Sequence, residues 1–230
     1  MKFLCILIAL LPLATNAAEF FEAEHGSQPN HLTPIGPPEN YDRRIAEHLF
    51  LTSGRFGRFI SRPSFGAEIC VSIHAEISDE AKNKNGGWWA VPDDKKKYFI
   101  TVTRASESLW YSMAENNDEK KTKKVKVTRV DREISLEFAV AIQRAWGKML
   151  QHTKYPAKAS MGLDGVTYQF SVWVRGLGYL NGETWTPDGG LPAKIASLGN
   201  DLAGFASTKG AKEHPLIEKL KAFEAKIPKA

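Results

Sequence analysis

Cysteine is nearly absent from this sequence: 230 residues contain only Cys5 and Cys70. Cys5 lies within an N-terminal segment that has the pattern of a cleavable signal peptide. Removal of that segment would leave Cys70 as a single thiol, which excludes an intramolecular disulfide and hence a fold built on disulfide cross-links. A chain of this length does not need such cross-links, because it can bury one large hydrophobic core.

The motifs of common metal and nucleotide sites are also missing. The six histidines are scattered, without an HExxH pair, paired cysteines or an acidic calcium loop. Residues 176–181, GLGYLN, follow a predicted strand and approach GxGxxG, but the third glycine is absent and the next helical pattern begins only near Leu191. Such a loop lacks the helix N-terminus that binds a pyrophosphate. We therefore predict no metal site, no cofactor and no nucleotide.

Long apolar runs are confined to the N-terminus. Met1 and Lys2 precede an apolar run from Phe3 to Leu13, and the sequence TNA follows at residues 15–17. The run is shorter than the roughly 20 residues that span a bilayer, so it predicts a secretory signal peptide over residues 1–17. We expect a protein that is exported to a bacterial periplasm or to the exterior, with no transmembrane segment in its mature form.

The charge balance is only mildly basic. The net charge of the whole chain is +5, and loss of Lys2 with the signal peptide would reduce it to +4. Two basic segments stand out, RFGRFISR at residues 55–62 and a lysine-rich run at residues 120–126. Lysines at strand edges commonly prevent edge-to-edge pairing, and the overall charge does not require an anionic partner. Nucleic acid is therefore disfavoured as a partner.

The hydrophobic pattern predicts one α+β domain over residues 39–230, preceded by an extended N-terminal arm at residues 18–38. Residues 67–77, AEICVSIHAEI, alternate strictly between apolar and polar side chains, and weaker strand patterns follow at residues 97–105, 124–130 and 165–174. Residues 134–150 carry a broad apolar stripe at helical spacing, and two further helices are predicted near the C-terminus. We expect a three- to four-stranded, mainly antiparallel sheet packed on the long helix.

The polar side of the first predicted strand is the best place to look for catalysis. It carries Cys70, Ser72, His74 and Glu76. Cys70 and His74 are about 13 Å apart along a strand, which is too far for a nucleophile and its base. We therefore assign no catalytic residue and expect this face to be solvated or thinly covered. A hydrolase or transferase whose site joins His74 and Glu76 to neighbouring strands remains the alternative.

Aromatic side chains in and after the last predicted strand suggest a contact surface. Trp173 and Arg175 point outward in the pattern, and Tyr179 and Trp185 follow in a glycine-rich segment that we interpret as a loop. Helices or the loop itself could instead cover these rings as a second small core. We predict a non-catalytic binding domain that uses these four residues against a protein or an envelope polymer. An assembly component of the envelope without a small ligand is a further possibility.

Overall fold

The computed structural model describes residues 30–84, 90–114, 125–156 and 164–228; the predicted signal peptide and residues 18–29 of the arm lie outside this range. Six antiparallel strands form one open sheet in the order β4-β3-β2-β1-β5-β6. The strands are β1 (Gly57–Pro63), β2 (Ile69–Glu76), β3 (Lys97–Ala105), β4 (Val127–Ile134), β5 (Val166–Val174) and β6 (Gly178–Trp185). The helices are α1 (Asn40–Leu49), α2 (Asp79–Lys84), α3 (Leu109–Ala114), α4 (Leu136–Leu150), α5 (Gly190–Ser207) and α6 (His214–Lys226).

The α+β class is confirmed, but the predicted number of strands was wrong, because β1 and β6 both lie in segments that resemble loops in the sequence. β1 is central and covered on both faces, so Phe59 and Ile60 are both buried and no alternation is visible. β6 is an edge strand that follows a tight turn, where Gly178 adopts a φ of 83° that favours glycine. The glycine-rich segment therefore forms a hairpin with β5.

The main hydrophobic core lies between one face of the sheet and helices α4, α5 and α6. Phe59, Ile73 and Phe170 project from the sheet, and Trp146 of α4 packs edge-on against Phe170. Helix α4 begins after Ser135, whose hydroxyl accepts a hydrogen bond from the Phe138 amide at 3.1 Å. The predicted packing of the long helix on the sheet is present. Complete burial of each large apolar side chain contributes about 1.5–3 kcal/mol.

The opposite face of the sheet is covered by α1 and α3, which form a second, smaller core. Tyr41, Ile45 and Leu49 recur along one side of α1 and pack with Ile60 of β1 and Cys70 of β2, among others. The polar side of β2 is buried: Cys70 is 1% exposed, Ser72 2% and His74 5%. The prediction of a solvated or thinly covered face was wrong here: α1 packs on Cys70, Arg58 contacts Ser72, and the Phe99 ring stacks on His74.

The described part of the arm, residues 30–38, lies against the sheet and leads into α1. Leu32 is fully buried in the main core. The backbones of Thr33 and Glu183 exchange two hydrogen bonds of 2.8 Å, which places this segment beside edge strand β6. The Asn30 side chain accepts a hydrogen bond from the Leu191 amide at 2.7 Å, at the start of α5. These contacts fix where the chain enters α1.

Candidate functional site

A row of polar side chains crosses the whole sheet on the face that α1 and α3 cover. The strand registers place one residue of each strand side by side in the order Asn181, Ser171, Arg58, Ser72, Thr101 and Asp131, which we call the polar row. Arg58 donates from Nε to the Ser72 hydroxyl at 3.3 Å, and the Thr101 hydroxyl donates to Asp131 at 2.6 Å. Ser72 and Thr101 are the buried members of the row, and buried polar groups need such partners. Arg58 is the third of the six residues and lies on the central strand β1.

A cavity of about 520 Å³ lies over the β1, β5 and β6 part of the polar row, with α1 as its roof. Its floor includes Arg58, Ser171 and Asn181, and its walls include Ile45 and Phe50. The exposed Asn181 belongs to edge strand β6, so the cavity opens to solvent on that side. Small-molecule sites have this combination of about 300–1,000 Å³, mainly apolar walls and a few polar groups. We refer to it as the α1 cavity.

Arg58 is a half-buried cation held in one orientation. Nη2 donates to the Thr52 carbonyl oxygen at 2.7 Å, and the guanidinium carbon lies 3.9 Å from the centroid of the Phe50 ring. Gly54 leaves the necessary room, because a Cβ there would lie 2.9 Å from Nε and Nη2. Burial lowers the pKa of Arg58, but an arginine remains protonated in proteins. Among the described residues, no carboxylate forms an ion pair with Arg58.

The roof helix α1 is anchored by three contacts of two residues in its first turn, Tyr41 and Asp42. Asp42 accepts a hydrogen bond from Nη1 of Arg62 at 2.8 Å, and the Arg62 guanidinium lies 4.5 Å from the centroid of the Tyr41 ring. The Tyr41 hydroxyl donates to Glu68 at 2.6 Å. Burial, followed by the hydrogen bond to the Glu68 carboxylate, raises the pKa of Tyr41, so its hydroxyl stays protonated at neutral pH. The roof is therefore tied to β1 and to the chain before β2.

The structure brings together only part of the predicted binding surface. Trp173 and Tyr179 are cross-strand neighbours on the face of the polar row, about 6.6 Å further along their strands than Ser171 and Asn181. The Arg55 guanidinium lies 4.0 Å from the centroid of the half-buried Trp173 ring, whereas Tyr179 is 61% exposed.

The other two predicted residues lie elsewhere on the surface. Arg175 is exposed in the turn between β5 and β6. Trp185 lies at the opposite end of β6, about 20 Å from Tyr179 along the strand. None of the four predicted residues lines the α1 cavity. The alternation in β5 already places Ser171 on the same side as Trp173, but Arg58 and Asn181 lie in strands that the sequence does not reveal.

His74 and Glu76 are adjacent but form no catalytic dyad with a nucleophile among the described residues. Nε2 of His74 lies 3.3 Å from Glu76, its ring stacks on Phe99, and its buried Nδ1 has no hydrogen-bond partner. Burial lowers the pKa of His74, so the ring is neutral at pH 7. Burial also raises the pKa of the Cys70 thiol, which suppresses the nucleophilic thiolate.

Comparison with known proteins does not assign this chain to a class. No family model, no curated protein and no solved structure matches it. In the part of the chain that the structure describes, no group of three or more His, Cys, Asp and Glu side chains could hold a metal ion. None of the described helices combines the length and the apolar character needed to cross a bilayer. A function has to be inferred from the site itself.

Proposed function

We propose that this protein is a non-catalytic binding domain that acts after export, in the periplasm or outside the cell, and holds a small ligand in the α1 cavity. The observation that carries the proposal is the cavity itself: about 520 Å³, mainly apolar walls, and Arg58, Ser171 and Asn181 on its floor. A cavity of that size and lining is suited to bury most of a small molecule. The anchored roof supports the proposal, because a preformed site loses less entropy on binding.

Ligand-observed NMR with a small-molecule library tests this proposal. Ala46 lines the cavity from α1, so Ala46→Trp should fill it and abolish binding of the compounds that bind the wild type. Glu47→Trp is the matched control, because Glu47 is the next residue of α1 and is exposed. Compounds that bind wild type and Ala46→Trp equally well would contradict a ligand site in the cavity.

The surface of Trp173 and Tyr179 is proposed as a second contact, toward a protein or an envelope polymer. The 61% exposure of Tyr179 beside the half-buried ring of Trp173 favours it, since exposed apolar surface is typical of interaction sites. Tyr179→Ser should reduce retention of the protein on isolated envelope fractions, whereas Tyr155→Ser, at an 80% exposed tyrosine elsewhere, should not. Equal retention of both variants and the wild type would count against this surface.

A hydrolase or transferase centred on His74 and Glu76 is the alternative function. It is favoured by the buried Nδ1 of His74, which has no hydrogen-bond partner, because a buried polar group without a partner is unusual and can mark a catalytic position. A panel of ester, amide and glycoside substrates should show turnover that His74→Gln abolishes. Absence of turnover throughout the panel would argue for the binding function instead.

Export is part of the proposal and has its own test. Cleavage after Ala17 predicts a mature protein that begins at Ala18. N-terminal sequencing of the protein recovered after secretion from a bacterial host checks the prediction. An intact Met1 on the exported protein would contradict it.

A further inference from the structure

We infer that the ligand of the α1 cavity is an amphiphile with an apolar chain and a single carboxylate, and that Arg58 binds the carboxylate. The inference rests on the proposed function, which states only that the cavity holds a small ligand. Two features of the lining carry it: the apolar walls, and one oriented cation on the floor that has no carboxylate partner among the described residues.

The walls define the apolar part of the ligand. The apolar lining comes from the arm, from α1, from the residue directly after α1 and from β1: Ile35, Pro38, Ile45, Phe50 and Ile60. Burial of apolar surface is the main source of affinity in such a site. Any hydroxyl or phosphate group of a ligand that lay against these side chains would lose its hydrogen bonds to water, at a large cost. The walls therefore favour a ligand with an aliphatic chain.

Arg58 defines the charged part. A guanidinium has five N–H donors, of which Nε uses one for Ser72 and Nη2 uses one for Thr52. Three donors remain, and the stack on Phe50 fixes the plane in which they lie. A carboxylate matches this planar fork and forms charge-assisted hydrogen bonds with it, which are about twice as strong as neutral ones.

The other charged groups of the lining favour a single negative charge on the ligand. Asp42 and Arg43 both line the cavity from the first half of α1, and their charges offset each other. Asp42 already accepts a hydrogen bond from Arg62, so it does not compete with a ligand for Arg58. Summed over the charged lining residues, Arg58, Arg43 and Asp42, the cavity carries one net positive charge.

Calorimetric titration with decanoate and with decanol, each below its aggregation concentration, tests the inference. The two probes share a chain and differ in the carboxylate. Wild type should bind decanoate more tightly than decanol. Arg58→Met should weaken decanoate binding about ten- to hundredfold and decanol binding much less, because the charge-assisted hydrogen bonds that it removes are made to the carboxylate. Arg58→Lys retains the charge but not the fork and should give an intermediate loss.

Two control variants separate the possible reasons for a loss of binding. Arg175→Met removes an exposed arginine outside the cavity, so it changes the net charge equally and should alter decanoate affinity by no more than about twofold. Ala46→Trp should abolish binding of both probes. Thermal unfolding of each variant verifies that it is folded, and Arg58→Lys carries the comparison if Arg58→Met does not fold.

The outcomes distinguish the ligand class from the proposed function. Equal affinity of wild type for decanoate and decanol, or unchanged decanoate affinity in Arg58→Met, would overturn the role of Arg58 while leaving the cavity as a binding site. Failure of both probes to bind, with cavity-dependent compounds still found in the NMR screen, would overturn the ligand class alone. Decanoate binding that persists in Ala46→Trp would overturn both proposals.

Discussion

Glu68 is the buried carboxylate that joins α1 and α3 to the sheet, and its replacement by glutamine should lower the stability of the whole domain. The residue is fully buried, immediately before β2. It accepts hydrogen bonds from the Tyr41 hydroxyl of α1 at 2.6 Å and from the Leu109 amide at the start of α3, at 3.0 and 2.9 Å to its two oxygens. One carboxylate thus fixes both helices that cover this face.

The magnitude follows from the donors that surround Glu68. Glutamine has the same shape but presents an NH₂ group where one carboxylate oxygen accepts from Leu109. The change removes about one charge-assisted hydrogen bond, worth about 1.5–3 kcal/mol, and leaves a buried donor unpaired, at about 1–3 kcal/mol. The neutral amide avoids the desolvation of a buried charge, which offsets part of this loss. We expect a net decrease in the free energy of unfolding of about 2–4 kcal/mol.

Urea denaturation followed by tryptophan fluorescence measures this decrease, with the slope of the transition unchanged. Glu133→Gln is the matched control, because Glu133 is exposed in β4 and should change stability by less than about 0.5 kcal/mol. Tyr41→Phe should also destabilise, and the double variant with Glu68→Gln should lose less than the sum, since the two residues share a hydrogen bond. A loss below about 1 kcal/mol for Glu68→Gln would refute the reasoning.

Three further predictions concern the core and the buried groups of β2. Gly199→Ala should lower the free energy of unfolding by about 1–3 kcal/mol, because its Cβ would lie 2.4 Å from the Phe59 ring. Gly204→Ala, with open space at that position, should raise the free energy of unfolding by about 0.5–1 kcal/mol. Equal effects of the two substitutions in urea denaturation would contradict the close approach of Gly199 to Phe59. Burial lowers the pKa of His74 from its usual 6.5, so the unfolded chain binds a proton at this residue more tightly than the folded chain does. The free energy of unfolding should therefore be highest above pH 6.5 and should decrease as the pH is lowered below that value. His74→Gln should flatten this pH dependence of the free energy of unfolding. An unchanged pH dependence in the variant would contradict the assignment of the effect to His74. Cys70, 1% exposed and with its pKa raised by burial, should react with a thiol reagent far more slowly in the native protein than in urea; similar rates would contradict its burial.

The elements with one clearly alternating or periodic face could be predicted from the sequence, and the others could not. β2, β3 and β5 place apolar side chains at every second position toward the main core, so their patterns indicated strands. Tyr41, Ile45 and Leu49 give α1 an apolar face at helical spacing, a pattern that is likewise visible in the sequence. The third predicted strand, at residues 124–130, was displaced from β4 at Val127–Ile134, because most of this edge strand is exposed and shows little periodicity.

The cavity was not predictable because its polar floor depends on the two strands that the sequence conceals. In β1, Arg58 lies between buried neighbours, so its segment shows no alternation and stands out in the sequence only by its basic residues. In β6, the partially exposed residues around Asn181 show no apolar face. Alternation also identifies which side chains share a face, but it does not show what covers that face. For this reason the amphipathic pattern of α1 did not reveal that the helix lies over the polar side of β2.

The polar row explains how one face of the sheet combines a stable core with an open site. Toward β2 and β3, Ser72 and Thr101 are buried, and each is hydrogen-bonded to a neighbour in the row, so the row is satisfied internally there. Toward β5 and β6, Ser171 and Asn181 line the cavity and make no hydrogen bond to another side chain of the row. Arg58 lies between these two parts of the row: its Nε donates to Ser72 on one side, and on the other side the residue lines the cavity. Because Ser72 and Thr52 hold the guanidinium whether or not a ligand is bound, the cation is oriented in advance, which is the condition under which a single arginine gives both affinity and selectivity.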